Sequence, residues 1–150
     1  MLFSRSTEYA IRAMTFLATL PPGRLAGARE ISQAESIPMP FLWKILQSLA
    51  RRKLIRSFKG LHGGYELARP SAQITIDTLL EVIDGKERFG NCVLGLPRCS
   101  DDNACPLHDT WRELRSRMTG MLQENTLADL ARISQARATK QKTGESRPCP

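Results

Sequence analysis

Three cysteines and one histidine lie within a short segment in the second half of this 150-residue chain. Cys92, Cys99, Cys105 and His108 follow the spacing C-x6-C-x5-C-x2-H. Glycine, two prolines and a run of polar residues accompany them, which predicts a loop rather than a helix or a strand. A loop so rich in cysteine has little apolar material to bury, so we expect a bound metal or cluster to order it.

Several uses of these thiols compete. A disulfide is disfavoured because the first residues, Met1 to Glu8, show no secretion signal, which predicts a cytoplasmic protein with reduced thiols. Zinc binds three cysteines and a histidine, although its sites commonly contain a C-x2-C pair, which this segment lacks. An iron–sulfur cluster also binds thiolates and tolerates looser spacing. The spacing therefore favours a cluster, with zinc and free redox-active thiols as alternatives, and Cys149, between two prolines, is expected to be a bystander.

The composition favours an acidic macromolecular partner. The net charge is +7 and the sequence pI about 9.7, and this excess of lysine and arginine favours nucleic acid first and a membrane surface second. The longest apolar runs are too short to cross a bilayer. The chain carries no glycine-rich phosphate loop and no pairing of a nucleophile with a base, so an enzyme, including an iron–sulfur electron-transfer protein, is disfavoured.

Apolar residues at helical spacing predict three helices in the first third of the chain. The first runs over 6–20 with Ser6 as its cap, the second lies within 25–35, and the third runs from about Pro40 to Arg52. The expected inner face of the third helix comprises Phe41, Leu42, Ile45, Leu46 and Leu49. Two helices joined by a short turn, the second with a basic outer face, match a helix-turn-helix.

A β-hairpin is predicted directly after this candidate recognition helix. Residues 54–59 and 65–68 have strand character, and the glycines of 60–64 predict a tight turn between them. Lys59 and His62 lie at or near the tip. A hairpin in this position is a wing, and a basic residue at its tip suits the negative potential of a DNA minor groove.

The remaining residues predict a helix over 74–84, a long helix from about Pro106 to Gln123, and a short helix capped by Thr126. The apolar stripe of the long helix exceeds what the small core needs, so we expect it to pair with its copy in a second chain. From Ser134 onward the sequence is polar and aperiodic, which predicts a disordered tail.

The predicted fold is mainly α with a small β-hairpin wing, a winged helix-turn-helix followed by a long C-terminal dimerisation helix. The corresponding units are the DNA-binding domain at 1–85, the cysteine-rich loop at 86–106, the dimerisation and terminal helices at 107–133 and the tail at 134–150.

Four features together resemble a known family. They are the segments TEYAIRA at 7–13, IPMPFLWKIL at 37–46 and KGLHGGY at 59–65, and the three cysteines. Their order and spacing over residues 1–133 resemble the winged-helix bacterial regulators that include the iron–sulfur assembly regulator IscR, the nitric-oxide sensor NsrR and the iron-responsive RirA.

The resemblance implies a homodimeric DNA-binding transcription factor that senses nitric oxide, redox state or iron. Cys92, Cys99 and Cys105 would hold a [2Fe–2S] or [4Fe–4S] cluster. Two residues compete for the fourth ligand: His108, as in IscR-like members, and Glu8, donated by the partner subunit, as in NsrR-like members. The sequence of the recognition helix is more similar to NsrR and RirA, which favours Glu8. The six residues between the first two cysteines, where many relatives have five, leave the type of cluster open.

The same reading assigns a DNA-binding surface. Phosphate contacts are expected from Lys44, Arg51, Arg52 and Arg56. Contacts to base edges in the major groove are expected from Pro40, Trp43, Lys44 and Gln47. Lys59, where relatives often have arginine, and His62 are expected in the minor groove. A two-fold dimer would read a pseudo-palindromic operator.

Overall fold

The computed structural model describes residues 3–85, 92–96 and 99–142, apart from the side chains of 103 and 140–142. Its helices and strands are α1 (Arg5–Thr19), α2 (Ala28–Glu35), α3 (Met39–Arg51), β1 (Ile55–Phe58), β2 (Gly64–Leu67), α4 (Ile76–Asp84), α5 (His108–Glu124) and α6 (Leu127–Lys142). Short 3-10 turns occur at Ser71–Gln73 and Asp101–Asn103. The prediction of a mainly α fold with one small hairpin is confirmed.

Helix α1 is the central helix of the fold, and it contacts α2, α3, α4, α6 and β2. It begins two residues earlier than predicted, because Ser4 and not Ser6 accepts the hydrogen bond from the backbone N–H of Thr7, at 3.1 Å. Glu8 lies in the first turn, as predicted. The buried face of α1 consists of Thr7, Ala10, Ala13, Met14 and Leu17.

Helices α2 and α3 form the predicted helix-turn-helix. Ser36 ends α2 in the left-handed conformation with φ 50°, and Pro38 precedes α3 in an extended conformation that suits a helix start. Of the predicted inner face of α3, Leu42, Ile45, Leu46 and Leu49 are buried. The prediction for Phe41 was wrong: its side chain is 49% exposed and contacts the edge of the Tyr9 ring, with 6.0 Å between ring centroids.

The hairpin is antiparallel, with Ile55 opposite Leu67 and Phe58 opposite Gly64. Its first strand is one residue shorter at each end than predicted, and its second strand begins one residue earlier. The backbone of Ala26 pairs with Tyr65 through two hydrogen bonds of 2.8 and 3.1 Å, so the segment before α2 supports the second strand. The wing is therefore anchored to the body of the domain and is not a free ribbon.

The two halves of the chain join beside α4. The backbone N–H of Leu127 donates to the carbonyl of Ile74 at 2.9 Å, and that of Ile76 donates to Asn125 at 3.0 Å. Helix α6 packs along α1, and one apolar core contains residues from α1 to α6.

Helix α6 corrects the prediction of a disordered tail from Ser134. The helix continues to Lys142, and the Gln135 side chain donates to the carbonyl of Thr19 at 3.4 Å. A helix whose first turns are already docked extends readily through alanine, arginine, glutamine and lysine, because these residues have high helix propensity and need no apolar period. The rest of the predicted tail, with Cys149, lies outside the described residues.

None of the helices described is long and apolar enough to cross a membrane.

Candidate metal centre and nucleic-acid interface

Cys92 and Cys105 form one pair in the loop between α4 and α5. Cys92 is buried, and its thiol is hydrogen-bonded to that of Cys105. The backbone N–H of Leu94 is the main cause that lowers the pKa of Cys92, with smaller contributions from the N–H of Leu96 and from Cys105, against the opposing effect of burial. The thiolate is the form of cysteine that binds metals and attacks oxidants.

Cys99 and His108 form a second pair. The Sγ atom of Cys99 lies 3.3 Å from Nδ1 of His108. His108 begins α5 and is 6% exposed, and its other ring nitrogen, Nε2, lies 2.9 Å from Oδ1 of Asp101. The Arg112 guanidinium contacts the same Asp101 oxygen at 3.0 Å. The loop and the first turn of α5 thus form one hydrogen-bonded unit around the imidazole.

The donor set of three thiols and one imidazole suits an iron–sulfur cluster or zinc. The predicted ligands Cys92, Cys99, Cys105 and His108 are brought together as two pairs. Among the described residues, no three His, Cys, Asp or Glu side chains converge closely enough to hold a single metal ion. Glu8, partly buried on α1, does not join a group of this kind within the described chain.

The predicted nucleic-acid interface lies on the outer side of α3 and on the hairpin. All nine predicted side chains are exposed: Pro40, Trp43, Lys44, Gln47, Arg51, Arg52, Arg56, Lys59 and His62. Arg56 is engaged in an ion pair with Glu66 at 2.9 Å. Trp43 is 58% exposed.

Three side chains near these sites were missed by the sequence analysis. Asp101 and Arg112 surround His108, but nothing in their spacing indicates this contact. Leu61, 96% exposed at the tip of the wing, could have been found as the apolar residue of a glycine-rich turn. Apolar wedges of this kind occur in proteins that enter the minor groove.

A helix-turn-helix followed by a hairpin on the same core defines a winged-helix protein. A family model described as Rrf2, an iron-dependent transcriptional regulator, matches residues 3–133. The chain belongs to the Rrf2 family, and the resemblance to IscR-type regulators is confirmed. It is a helix-turn-helix transcriptional regulator.

Curated relatives agree with this assignment. A putative HTH-type transcriptional regulator of Mycobacterium tuberculosis is 43% identical over 133 residues, which cover 87% of this chain and 81% of that protein. One from Aquifex aeolicus is 35% identical over 137 residues, covering 90% and 94%. The HTH-type transcriptional regulator IscR of Vibrio cholerae is 29% identical over 130 residues, covering 87% and 75%.

Solved structures share the fold at lower identity. CymR, the global cysteine regulator of B. subtilis, superposes with a TM-score of 0.76 at 22% identity, covering 87% of this chain and 96% of that one. IscR of T. potens gives 0.68 at 19% identity, covering 97% and 92%. An oxidized form of Staphylococcus aureus CymR gives 0.69 at 23% identity, covering 87% and 96%.

Proposed function

We propose that this chain is a homodimeric, cytoplasmic DNA-binding regulator without enzymatic activity, whose operator binding is controlled by an iron–sulfur cluster. The observation that carries the proposal is the meeting of Cys92 with Cys105 and of Cys99 with His108 in one loop between the winged helix and α5. Three thiols and one imidazole in one loop and the helix start that follows it suit a group that contains more than one iron atom.

The proposed ligands are the three cysteines and His108. The 3.3 Å separation of Cys99 Sγ and His108 Nδ1 supports the histidine, because these two atoms already face each other. Glu8 of the partner subunit is the second candidate, on the resemblance of the recognition helix to NsrR and RirA. When bound, the cluster would supply sensitivity to nitric oxide, oxidation state or iron supply.

The winged helix would bind DNA through three groups of side chains. Pro40, Trp43, Lys44 and Gln47 near the start of α3 would reach base edges in the major groove. Lys44, Arg51, Arg52 and Arg56 would contact phosphates and make affinity strongly dependent on salt. Lys59 and His62 would enter the minor groove, beside the exposed Leu61. Two copies paired through α5 would read a pseudo-palindromic site.

The position of the cysteine loop supports a coupling between sensing and binding. The loop leaves α4, which packs in the winged-helix core, and enters α5, whose first residue is His108. A change in how the loop is held therefore changes how α5 is placed against the DNA-binding domain. In a dimer this would alter the distance between the two recognition helices, which is a two-state element biased by a chemical signal.

An anaerobic visible spectrum of the full chain, with iron and acid-labile sulfide assayed on the same sample, tests the proposal. We expect broad visible absorption with both iron and sulfide present. We also expect the affinity for the operator to change when the cluster is removed. Cys99→Ala should abolish iron retention, whereas the matched change Cys149→Ala should not. A colourless protein, or a Cys99→Ala variant with a full cluster, would contradict it.

A thiol-based regulator is the second candidate, because the lowered pKa of Cys92 and its contact with Cys105 favour oxidation chemistry between them. In this case the full chain would contain neither iron nor sulfide. Its operator binding would change on mild oxidation and return with a thiol reductant. Zinc would be identified by metal analysis of the same colourless sample.

A further inference from the structure

The His108 imidazole has a partner at each ring nitrogen. Nδ1 faces the Cys99 thiol at 3.3 Å, and Nε2 faces the Asp101 carboxylate at 2.9 Å. The ring is 6% exposed, so water has little access to either nitrogen. Its orientation is therefore set by these two neighbours.

The Cys99 thiol and the Asp101 carboxylate differ in the hydrogen bonds that they can form with the ring. An ionised carboxylate only accepts hydrogen bonds, so a contact of 2.9 Å requires a hydrogen on Nε2. In a neutral imidazole this leaves Nδ1 with its lone pair free, on the side where Cys99 lies. Histidines that bind metals commonly donate their other N–H to a carboxylate, which fixes both tautomer and ring orientation.

Arg112 holds the carboxylate in place. Asp101 is 81% exposed and would otherwise be free to rotate into solvent, but Arg112 contacts its Oδ1 at 3.0 Å. The same guanidinium contacts the carboxylate of Asp109, which lies one turn before Arg112 on α5, at 2.9 Å. Arg112 is thus fixed between two carboxylates, of which only Asp101 is hydrogen-bonded to the imidazole in the described structure.

We propose that Asp101, held by Arg112, is a positioning residue that keeps His108 in the Nε2–H tautomer and presents Nδ1 as the ligand atom beside Cys99. The inference rests on the proposed function in its choice of His108 as the fourth ligand. Asp101 and Arg112 do not bind the cluster; they act through the imidazole.

The tautomer can be measured without any cluster. Two-bond 15N–1H correlation spectra of the reduced, iron-free full chain at pH 9 report which ring nitrogen carries hydrogen. The chain contains only two histidines, so His62→Gln assigns the signals. We expect hydrogen on Nε2 and a bare Nδ1 in the wild type, and a substantial Nδ1–H population in Asp101→Ala.

Asp109→Ala is the matched control, because it removes the other carboxylate on Arg112 without touching the imidazole. Its spectrum should match the wild type. Hydrogen on Nδ1 in the wild type, or an unchanged tautomer in Asp101→Ala, would overturn the inference. Circular dichroism would verify that Asp101→Ala, a change at an exposed side chain, leaves the fold intact.

The consequence for the bound group is measured separately. We expect the cluster of Asp101→Ala to be lost to a chelator about 10-fold faster than that of Asp109→Ala, since such supporting hydrogen bonds typically change metal affinity by about 10- to 100-fold. Equal rates in the two variants would overturn the positioning role. Absence of iron and sulfide from the wild type, with the tautomer shift intact, would overturn only the proposed function.

Discussion

At the scale of single residues, buried polar groups in this protein are placed by specific hydrogen bonds. Thr7 is fully buried and donates to Asp84 at 2.7 Å, while Ser4 both caps α1 and donates to the other oxygen of Asp84 at 2.6 Å. A buried hydroxyl left without such a partner would cost about 1–3 kcal/mol. These bonds join the start of α1 to the last residue of α4, immediately before the cysteine loop.

We expect the Asp129 carboxyl group to make the stability of the fold depend on pH. Its carboxylate accepts from the hydroxyl of Thr126 at 2.7 Å and from the backbone N–H of Thr126 at 3.0 Å, and these bonds lower the pKa of Asp129. A lowered pKa in the folded state means a stabilisation that is present above the ordinary value of 3.8 and lost as the pH falls through the folded value.

Asp129→Asn should therefore lower the melting temperature by a few degrees at pH 7, and the difference from the wild type should narrow toward pH 3. Thermal unfolding followed by circular dichroism across this range measures both. Asp102→Asn removes an exposed carboxylate and serves as the charge control. A constant difference at every pH would contradict the assignment to the carboxylate.

At the scale of elements, the wing is defined by close backbone approaches. A Cβ atom on Gly63 would lie 2.1 Å from the carbonyl oxygen of Phe58, and one on Gly64 would lie 2.8 Å from that of Ala26. Neither backbone segment can move away without breaking the hairpin or the Ala26–Tyr65 pairing. Glycine is therefore required at the base of the turn that carries Lys59 and Leu61.

Gly63→Ala is expected to distort this turn, with a loss of about 1–3 kcal/mol in the free energy of unfolding, as for other substitutions that overfill a packed site. Chemical denaturation measures this loss, and operator affinity should fall with it. Gly120→Ala, in α5 with no atom within 4 Å of the added Cβ, should keep or raise stability. Equal stability of the two variants would show that the turn relaxes freely.

Lys59→Ala should weaken operator binding at low salt and reduce the slope of affinity against salt concentration by about one, since one cation that displaces counterions from the DNA would be lost from the minor groove. Fluorescence anisotropy over a series of salt concentrations measures both effects. Arg132→Ala removes an equal charge from the solvent side of α6 and should leave the slope unchanged. Unchanged affinity in Lys59→Ala would remove the wing from the DNA contact.

At the scale of the whole molecule, α5 leaves apolar surface uncovered in the described chain. Leu114 is 49% exposed and Met121 is 50% exposed, and they lie on the same side of the helix about two turns apart. Leu122, toward the domain, is buried in the core. A helix that is apolar on two sides suits a position between its own domain and a second copy, which supports the proposed homodimer.

Leu114→Asp is expected to weaken self-association by at least about 100-fold, because a charge in an apolar interface costs several kcal/mol. Sedimentation velocity measures the monomer fraction. Ser116→Asp places the same charge on the exposed opposite side of α5 and should remain dimeric. A dimer of undiminished strength in Leu114→Asp would place the interface elsewhere.

Much of the architecture is determined by the sequence alone, because its signals are local. Helical spacing, the prolines at the start of α3 and the glycines of 60–64 each act within a few residues, and they predicted the helix-turn-helix and the wing. The motif order likewise identified the family. Two helix ends were predicted wrongly: Ser4 rather than Ser6 caps α1, and α6 continues beyond Ser134 without an apolar period.

Only the tertiary structure decided which side chains meet. Phe41 has the spacing of a core residue, yet it lies at the surface, where it contacts the edge of the Tyr9 ring. The division of the ligands into two pairs, and the placement of Asp101 on the far nitrogen of His108, depend on how a loop folds back onto a helix start. Such contacts have no period in the sequence, so they follow from packing of the whole chain.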